Sequence, residues 1–259
     1  MSLPLHEMVH KSQLFSTYSH DTHDRLERIS YPLEDVTETI TERFRDLHKG
    51  DAITTLVDGA FDVPHPNHEW YLRHCRLLGA ATLLHCDETE MTPDNLAAAL
   101  ESSHLKLAVT VDADHKVNYK KGKQAEKGGV ERPIYPWTAR AERVAGYIFK
   151  TASGLYRPVV DLVTVEGDAT HTNTALESSL TLARHLANEA LLESLIIYGE
   201  HDVTISEAIS MGLTPLIIPS GQEYTTNPQT GQDWSSSGLI NRAQGAIVPH
   251  PVTQPNQYS

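Results

Sequence analysis

The apolar positions of this chain fall into two alternating kinds of segment. Short runs of aliphatic and β-branched residues read as buried strands: Ile53 to Val57, Leu105 to Val111, Val159 to Val165, Leu195 to Tyr198 and Leu213 to Ile218. Around them lie stretches whose apolar residues recur at helical spacing. Leu33 to His48 carries Val36, Ile40 and Phe44 every fourth residue, and His68 to Leu78 keeps Tyr71, Leu72, Cys75 and Leu78 on one side. Thr138 to Phe149 and Thr174 to Leu192 read as two further helices. Thr92-Pro93 opens another, with Thr as cap and Pro at the first helical position, leading into Leu96 to Leu100. Strands alternating with helices need crossover connections. The predicted fold is therefore α/β, a Rossmann-like open sheet of five parallel strands with helices on both faces.

The flanks break this rhythm. Residues 1 to about 30 are polar and hold His6, His10, His20 and His23. They read as a mobile or surface-draped arm, ahead of the alternative that His20 and His23 bind zinc. The stretch Asn118 to Arg132, just after Lys116, is the one strongly basic region. Its Lys120, Lys121, Lys123, Lys127 and Arg132 surround Gly122, Gly128 and Gly129, so it reads as a flexible loop. The expected organisation is an arm and helix over 1–50, a main domain with insertions over 51–249, and a flexible Pro- and Gln-rich tail over 250–259.

Composition narrows the function. The net charge of -13 over 259 residues disfavours a broad nucleic-acid-binding surface, which needs clustered cations. A small phosphate pocket remains open, because a few local cations suffice there. Cys75 and Cys86 sit in apolar segments and read as buried thiols. No apolar run reaches the roughly 18 residues of a membrane span, and the start of the chain lacks a basic flank followed by an apolar core. A soluble, cytoplasmic protein, expected to be a homo-oligomer without nucleic-acid or membrane partners, follows.

The chemistry concentrates at Asp58-Gly59-Ala60-Phe61-Asp62-Val63-Pro64-His65-Pro66-Asn67-His68. This segment joins the first strand to its helix, and ligands of open α/β sheets bind outside the carboxyl ends of the strands. Gly59 and Ala60 leave room for a ligand to approach the backbone. His68 falls near a helix start, where free N–H groups and partial positive charge attract phosphate. His65 and His68, three residues apart across a turn, can both reach one phosphate group.

At these residues the chain resembles the HxGH nucleotidyltransferases, especially the heptose-phosphate adenylyltransferase domain of ADP-heptose synthase and glycerol-3-phosphate cytidylyltransferase. The family's first motif, G-x-F-D-x-x-H-x-G-H, stands here as Gly59 to His68 with Asn67 in place of the second Gly. Lys120-Lys121-Gly122, Arg132-Pro133, Pro136 and Arg140-Ala141-Glu142 are similar to its K-G…R-P…P…R-A-E run. Trp234 to Arg242 is similar to the closing S-[ST]-T-x-x-I-x-R motif. Tyr198 stands where relatives carry a lysine before the glycine.

The resemblance implies transfer of AMP or CMP from ATP or CTP to a small phosphorylated sugar, polyol or amino alcohol, with release of pyrophosphate. It gives His65 and His68 the α-phosphate and the bridging oxygen. Lys121 and Arg140 would offset charge on the triphosphate and acceptor. Gly59, Ala60, Phe61 and Asp62 would line the nucleotide site, with Ser235, Ser236 and Ser237 on the β- and γ-phosphates. Mg²⁺ would be held mostly by the phosphates, with no dedicated protein metal site. Acceptor selection would fall to the inserted segments near 80–103, 168–193 and 220–233. The alternative is a nucleotide-binding regulatory or structural protein of the same fold without turnover. A third reading, a metallohydrolase, would need His171 or His201 beside the histidine pair.

Overall fold

The computed structural model describes residues 16–19, 21–30, 36–49, 52–63, 66–83, 98–125, 131–151, 153–166, 179–198 and 202–218. Five strands build the main sheet: β2 (Ile53–Gly59), β3 (Leu105–Asp112), β6 (Leu162–Glu166), β7 (Ser194–Tyr198) and β8 (Thr214–Ile218). All neighbours are parallel, in the order β6-β3-β2-β7-β8. The chain thus steps outward from β2 through β3 to β6, then returns across β2 to β7 and β8. That reversal creates a topological switch point between β2 and β7, the crevice where open α/β sheets bind ligands.

The strands are apolar on both faces because both are covered. Along β2, Val57 joins the core that includes Leu72, Cys75, Leu78, Ala141 and Val144. These belong to helices α3 (Pro66–Leu83) and α5 (Trp137–Ala145). The next residue back, Leu56, faces the opposite core with Ile40, Phe44, Ala183, Leu186 and Ala208. Those residues come from α2 (Val36–Leu47), α6 (Ser179–Asn188) and α7 (Asp202–Ser210). β7 alternates in the same way, with Ile196 in the first core and Leu195 and Ile197 in the second. Phe44 and Leu72 are wholly buried, each worth about 1.5–3 kcal/mol of transfer free energy.

Three sequence expectations are corrected. Part of the polar arm is ordered: β1 (Ser16–Tyr18) pairs antiparallel with β4 (Tyr147–Lys150), and β4 with β5 (Tyr156–Pro158), forming a second, three-stranded sheet. After the short helix α1 (Thr22–Glu27), capped by Asp21, residues 28–30 lie along β6. There Val163 N–H donates to Arg28 O and Ser30 N–H to Val163 O, both at 2.8 Å. Backbone hydrogen bonding, which needs no hydrophobic periodicity, orders this stretch.

The basic stretch read as a loop is helical up to Ala125, in α4 (Asp114–Ala125). One internal glycine, Gly122, costs a helix only about 1 kcal/mol. The helix expected to run to Phe149 stops at Ala145, where the Gly146 N–H closes the last turn, and Tyr147 to Phe149 enter a strand. Finally, residues 98–101 are helical, while the Thr92-Pro93 start, residues 174–178 of the helix expected from Thr174, and the tail lie outside the described residues.

Candidate functional site at the carboxyl end of the sheet

β2 ends at Gly59, beside Val111 of β3 in the parallel register. From there the chain turns sharply. Phe61 takes a positive φ of 46°, an unusual conformation for a bulky side chain. Its ring folds back over Gly59, so a Cβ placed there would lie 2.7 Å from the ring edge. Any larger residue at position 59 would force this ring to shift. At Gly59 the space that a Cβ would take is occupied by the protein's own phenyl ring.

Asp62 follows and is almost wholly buried. Its carboxylate ion-pairs with Arg132 Nε and accepts N–H bonds from Ile134 (2.7 Å) and Tyr135 (3.2 Å). The segment after the cis Arg132–Pro133 bond is therefore organised around the motif aspartate. Asp62 acts here as a loop organiser, a use that its place in the motif did not reveal.

Arg140 on α5 has a wholly buried side chain. Its guanidinium donates to Ala60 O, to Asp112 O at 2.6 Å, to Asp114 Oδ1 at 2.7 Å and, through Nε, to Tyr135 O at 3.0 Å. One side chain thus fastens the ends of β2 and β3 to the start of α4. This geometry commits the Arg140 guanidinium to four protein acceptors, at Ala60, Asp112, Asp114 and Tyr135. Next to it, Asp112 pairs with Lys116 at 3.0 Å, both largely buried.

α3 begins at Pro66, well suited to a first helical position because it has no N–H to leave unpaired. His68 is its third residue. The His68 ring meets Phe61 edge-on at 5.2 Å between centroids. Phe61 in turn lies 6.5 Å from Tyr71, and Tyr71 meets Tyr198 edge-on at 6.0 Å. Four rings therefore run from the N-terminal turn of α3 to the end of β7, across the switch point. Burial, with smaller contributions from Cys75 and Asp58, holds the Tyr71 phenol well above its ordinary pKa. Burial also pushes the Cys75 thiol up, so it stays protonated. Tyr198 is 40% exposed and closes the row. The periodicity of α3 marked Tyr71 as core, and nothing local indicated its partner on β7.

Several expected site residues cannot be brought into this geometry. His65 and the serines Ser235, Ser236 and Ser237 lie outside the described residues, as do His171 and His201. Lys121 falls in the middle of α4, on a helix instead of the expected loop. Among the described residues no group of three His, Cys, Asp or Glu could hold a metal ion. Nor is any described helix long and apolar enough to cross a membrane.

No protein-family model matches this chain, and no curated protein matches it. What the structure defines is the class: an α/β protein with a Rossmann-like, all-parallel five-stranded sheet and helices around it. Within that class, the segments Gly59 to Asp62 and Arg132 to Arg140 meet at the carboxyl ends of β2 and β3.

Proposed function

We propose that this protein is a nucleotidyltransferase. It would transfer AMP or CMP from ATP or CTP to a small phosphorylated acceptor. The observation that carries the reading is the joining of two separate motif segments. Asp62 holds the Arg132 loop and Arg140 holds Ala60, next to the switch-point crevice where a nucleotide is expected in such a sheet.

In this reaction an acceptor phosphate oxygen forms a bond to the α-phosphorus. The bond from that phosphorus to the α–β bridging oxygen breaks, and pyrophosphate leaves in line. Such chemistry depends on positioning and on neutralising charge. The first turn of α3, which follows the end of β2 in the chain, offers backbone N–H groups without intrahelical partners. His68, in that turn, would donate to the α-phosphate or the bridging oxygen, with His65 beside it in sequence. Arg140 would act indirectly by fixing the β2 and β3 ends. Lys121 and the serines 235 to 237 would supply the remaining phosphate contacts. Mg²⁺ enters as part of the nucleotide substrate, bound by its phosphates.

The test is pyrophosphate release from ATP and CTP with phosphorylated sugars, polyols and amino alcohols. His68→Ala should lower turnover about a hundredfold, with a smaller loss of nucleotide affinity, as expected for a group acting mainly in the transition state. Equal losses of rate and affinity would remove His68 from the chemistry. The commitment of Arg140 to protein acceptors favours a second reading, nucleotide binding without turnover. Nucleotide bound with no pyrophosphate released from any acceptor would select it.

A further inference from the structure

Two strands of the main sheet carry the same tripeptide in the same register. Val109-Thr110-Val111 of β3 lies beside Val163-Thr164-Val165 of β6, with Thr110 paired to Thr164. Val109, Val111 and Val163 belong to the core that holds Leu72 and Ala141, and so does Ile29, which bridges to Val163. Successive side chains of extended chain alternate between the two faces of a sheet. Thr110, Thr164 and Ser30 therefore share the opposite face, where Ala108 and Leu162 lie two residues before the threonines. The Ser30 N–H donates to Val163 O, which sets Ser30 next to Thr164. The three hydroxyl residues form one row across three adjacent stretches of chain.

All three are buried, 0% exposed at Thr110, 1% at Thr164 and 4% at Ser30. None of their hydroxyls has a hydrogen-bond partner among the described residues. Valine would fill either threonine position with nearly the same shape and no polar atom. The hydroxyls are thus a cost to folding unless something bonds to them. Adjacent strands stand about 4.8 Å apart, a gap that one water closes with two bonds of about 2.8 Å each.

We infer that this row is a binding site for internal water, with one molecule between Ser30 and Thr164 and another between Thr164 and Thr110. A hydroxyl offers one donor and two acceptor positions, so Thr164 can serve both. The row is itself uncharged, which suits a neutral ligand that both donates and accepts. A cation taken out of solvent would meet no compensating charge from these three groups. The site stands independently of the transfer reaction, yet it lies close to the residues proposed for it. Through β6 the waters tie the ordered part of the arm to β3, two residues before Asp112, whose carbonyl receives Arg140 at 2.6 Å.

A high-resolution crystal structure of the unsubstituted chain is the first test. It should show water within about 3 Å of both Thr110 Oγ1 and Thr164 Oγ1. Oxygen-17 relaxation dispersion, which counts long-lived internal waters, is the second. Thr110→Val should lower that count by about one and Thr164→Val by about two, whereas Thr110→Ser, which keeps the hydroxyl, should leave it unchanged. Both valine variants should also unfold at lower urea concentration. Their double variant should lose less than the sum, because the two threonines share a water. A crystal structure with the two hydroxyls bonded directly to each other, or with no water between them, overturns the inference whether or not the variants fold. A water count indifferent to both valine substitutions, or higher urea midpoints, the mark of dry hydroxyls, does the same. A midpoint that changes between sodium and potassium at constant ionic strength gives the row to a cation and overturns it as well.

Discussion

The two ends of the main sheet both pair buried arginines with aspartates, and they use the pairing differently. At the amino end, Arg76 of α3 pairs with Asp161 at 2.7 Å and donates to Val159 O and Leu105 O. Asp161 also accepts the Leu107 N–H at 2.9 Å, and the Arg76 guanidinium sits over the Phe149 ring at 5.4 Å. Every one of these partners belongs to a strand or its immediate flank, so the pair closes the protein on itself. At the carboxyl end, Asp62–Arg132 and Arg140–Asp114 border an open cavity, a positive-φ residue and the start of α3. The same chemical device closes the protein on itself at one end and frames the candidate site at the other. Burial of a charged pair is thus no sign of function; what the pair holds in place is.

Removing one partner separates the two uses. Asp161→Ala and Asp62→Ala each strand a buried guanidinium, and each should cost about 3–5 kcal/mol, read as a lower urea midpoint. Under conditions where both variants remain folded, Asp161→Ala should keep the nucleotide affinity that the proposed function implies, whereas Asp62→Ala should lose it. Parallel losses of affinity in the two variants would show that the carboxyl end has no special role.

A smaller effect belongs to the turn itself. Gly59→Ala should destabilise by about 1–3 kcal/mol through its clash with the Phe61 ring. Since the obstacle is a side chain, the Gly59→Ala/Phe61→Leu double variant should fall short of the sum of the single effects. A double-mutant cycle that proved additive would mean that the ring is not the reason for the glycine.

The smallest effect lies at the amino end. Burial holds the Glu193 carboxyl above its ordinary pKa, opposed by the Thr54 N–H it accepts at 2.6 Å and by the nearby His48. A carboxyl that keeps its proton more tightly in the folded chain disfavours folding once ionised. Stability should therefore fall as pH rises from the unfolded carboxyl value through the raised folded one. Glu193→Gln should flatten that part of the stability–pH profile while leaving nucleotide affinity unchanged. A profile identical to that of the unsubstituted protein would contradict this assignment.

What was legible in the sequence was whatever depends on local spacing. The five strands, the helices beginning near Val36, Pro66 and Trp137, and the turn after Gly59 all follow from apolar periodicity and from punctuation by Gly and Pro. Three features escaped for reasons equally physical. The arm hid its ordered part because main-chain pairing leaves no apolar pattern, and the lysine-rich stretch hid a helix because a solvated helix needs few apolar residues. The strand at Tyr147 was absorbed into the preceding helix because a buried apolar run fits either structure.

The sequence by itself determined the class of fold and marked Gly59 to Asp62 as special. Only the tertiary structure decided what those residues do. Whether a buried Arg140 meets a ligand or Ala60, Asp112 and Asp114, and whether Asp62 faces solvent or Arg132, depends on groups 26 to 80 residues away in the chain. Desolvated charges must find partners wherever the fold brings them, and sequence spacing carries no record of which partners those are.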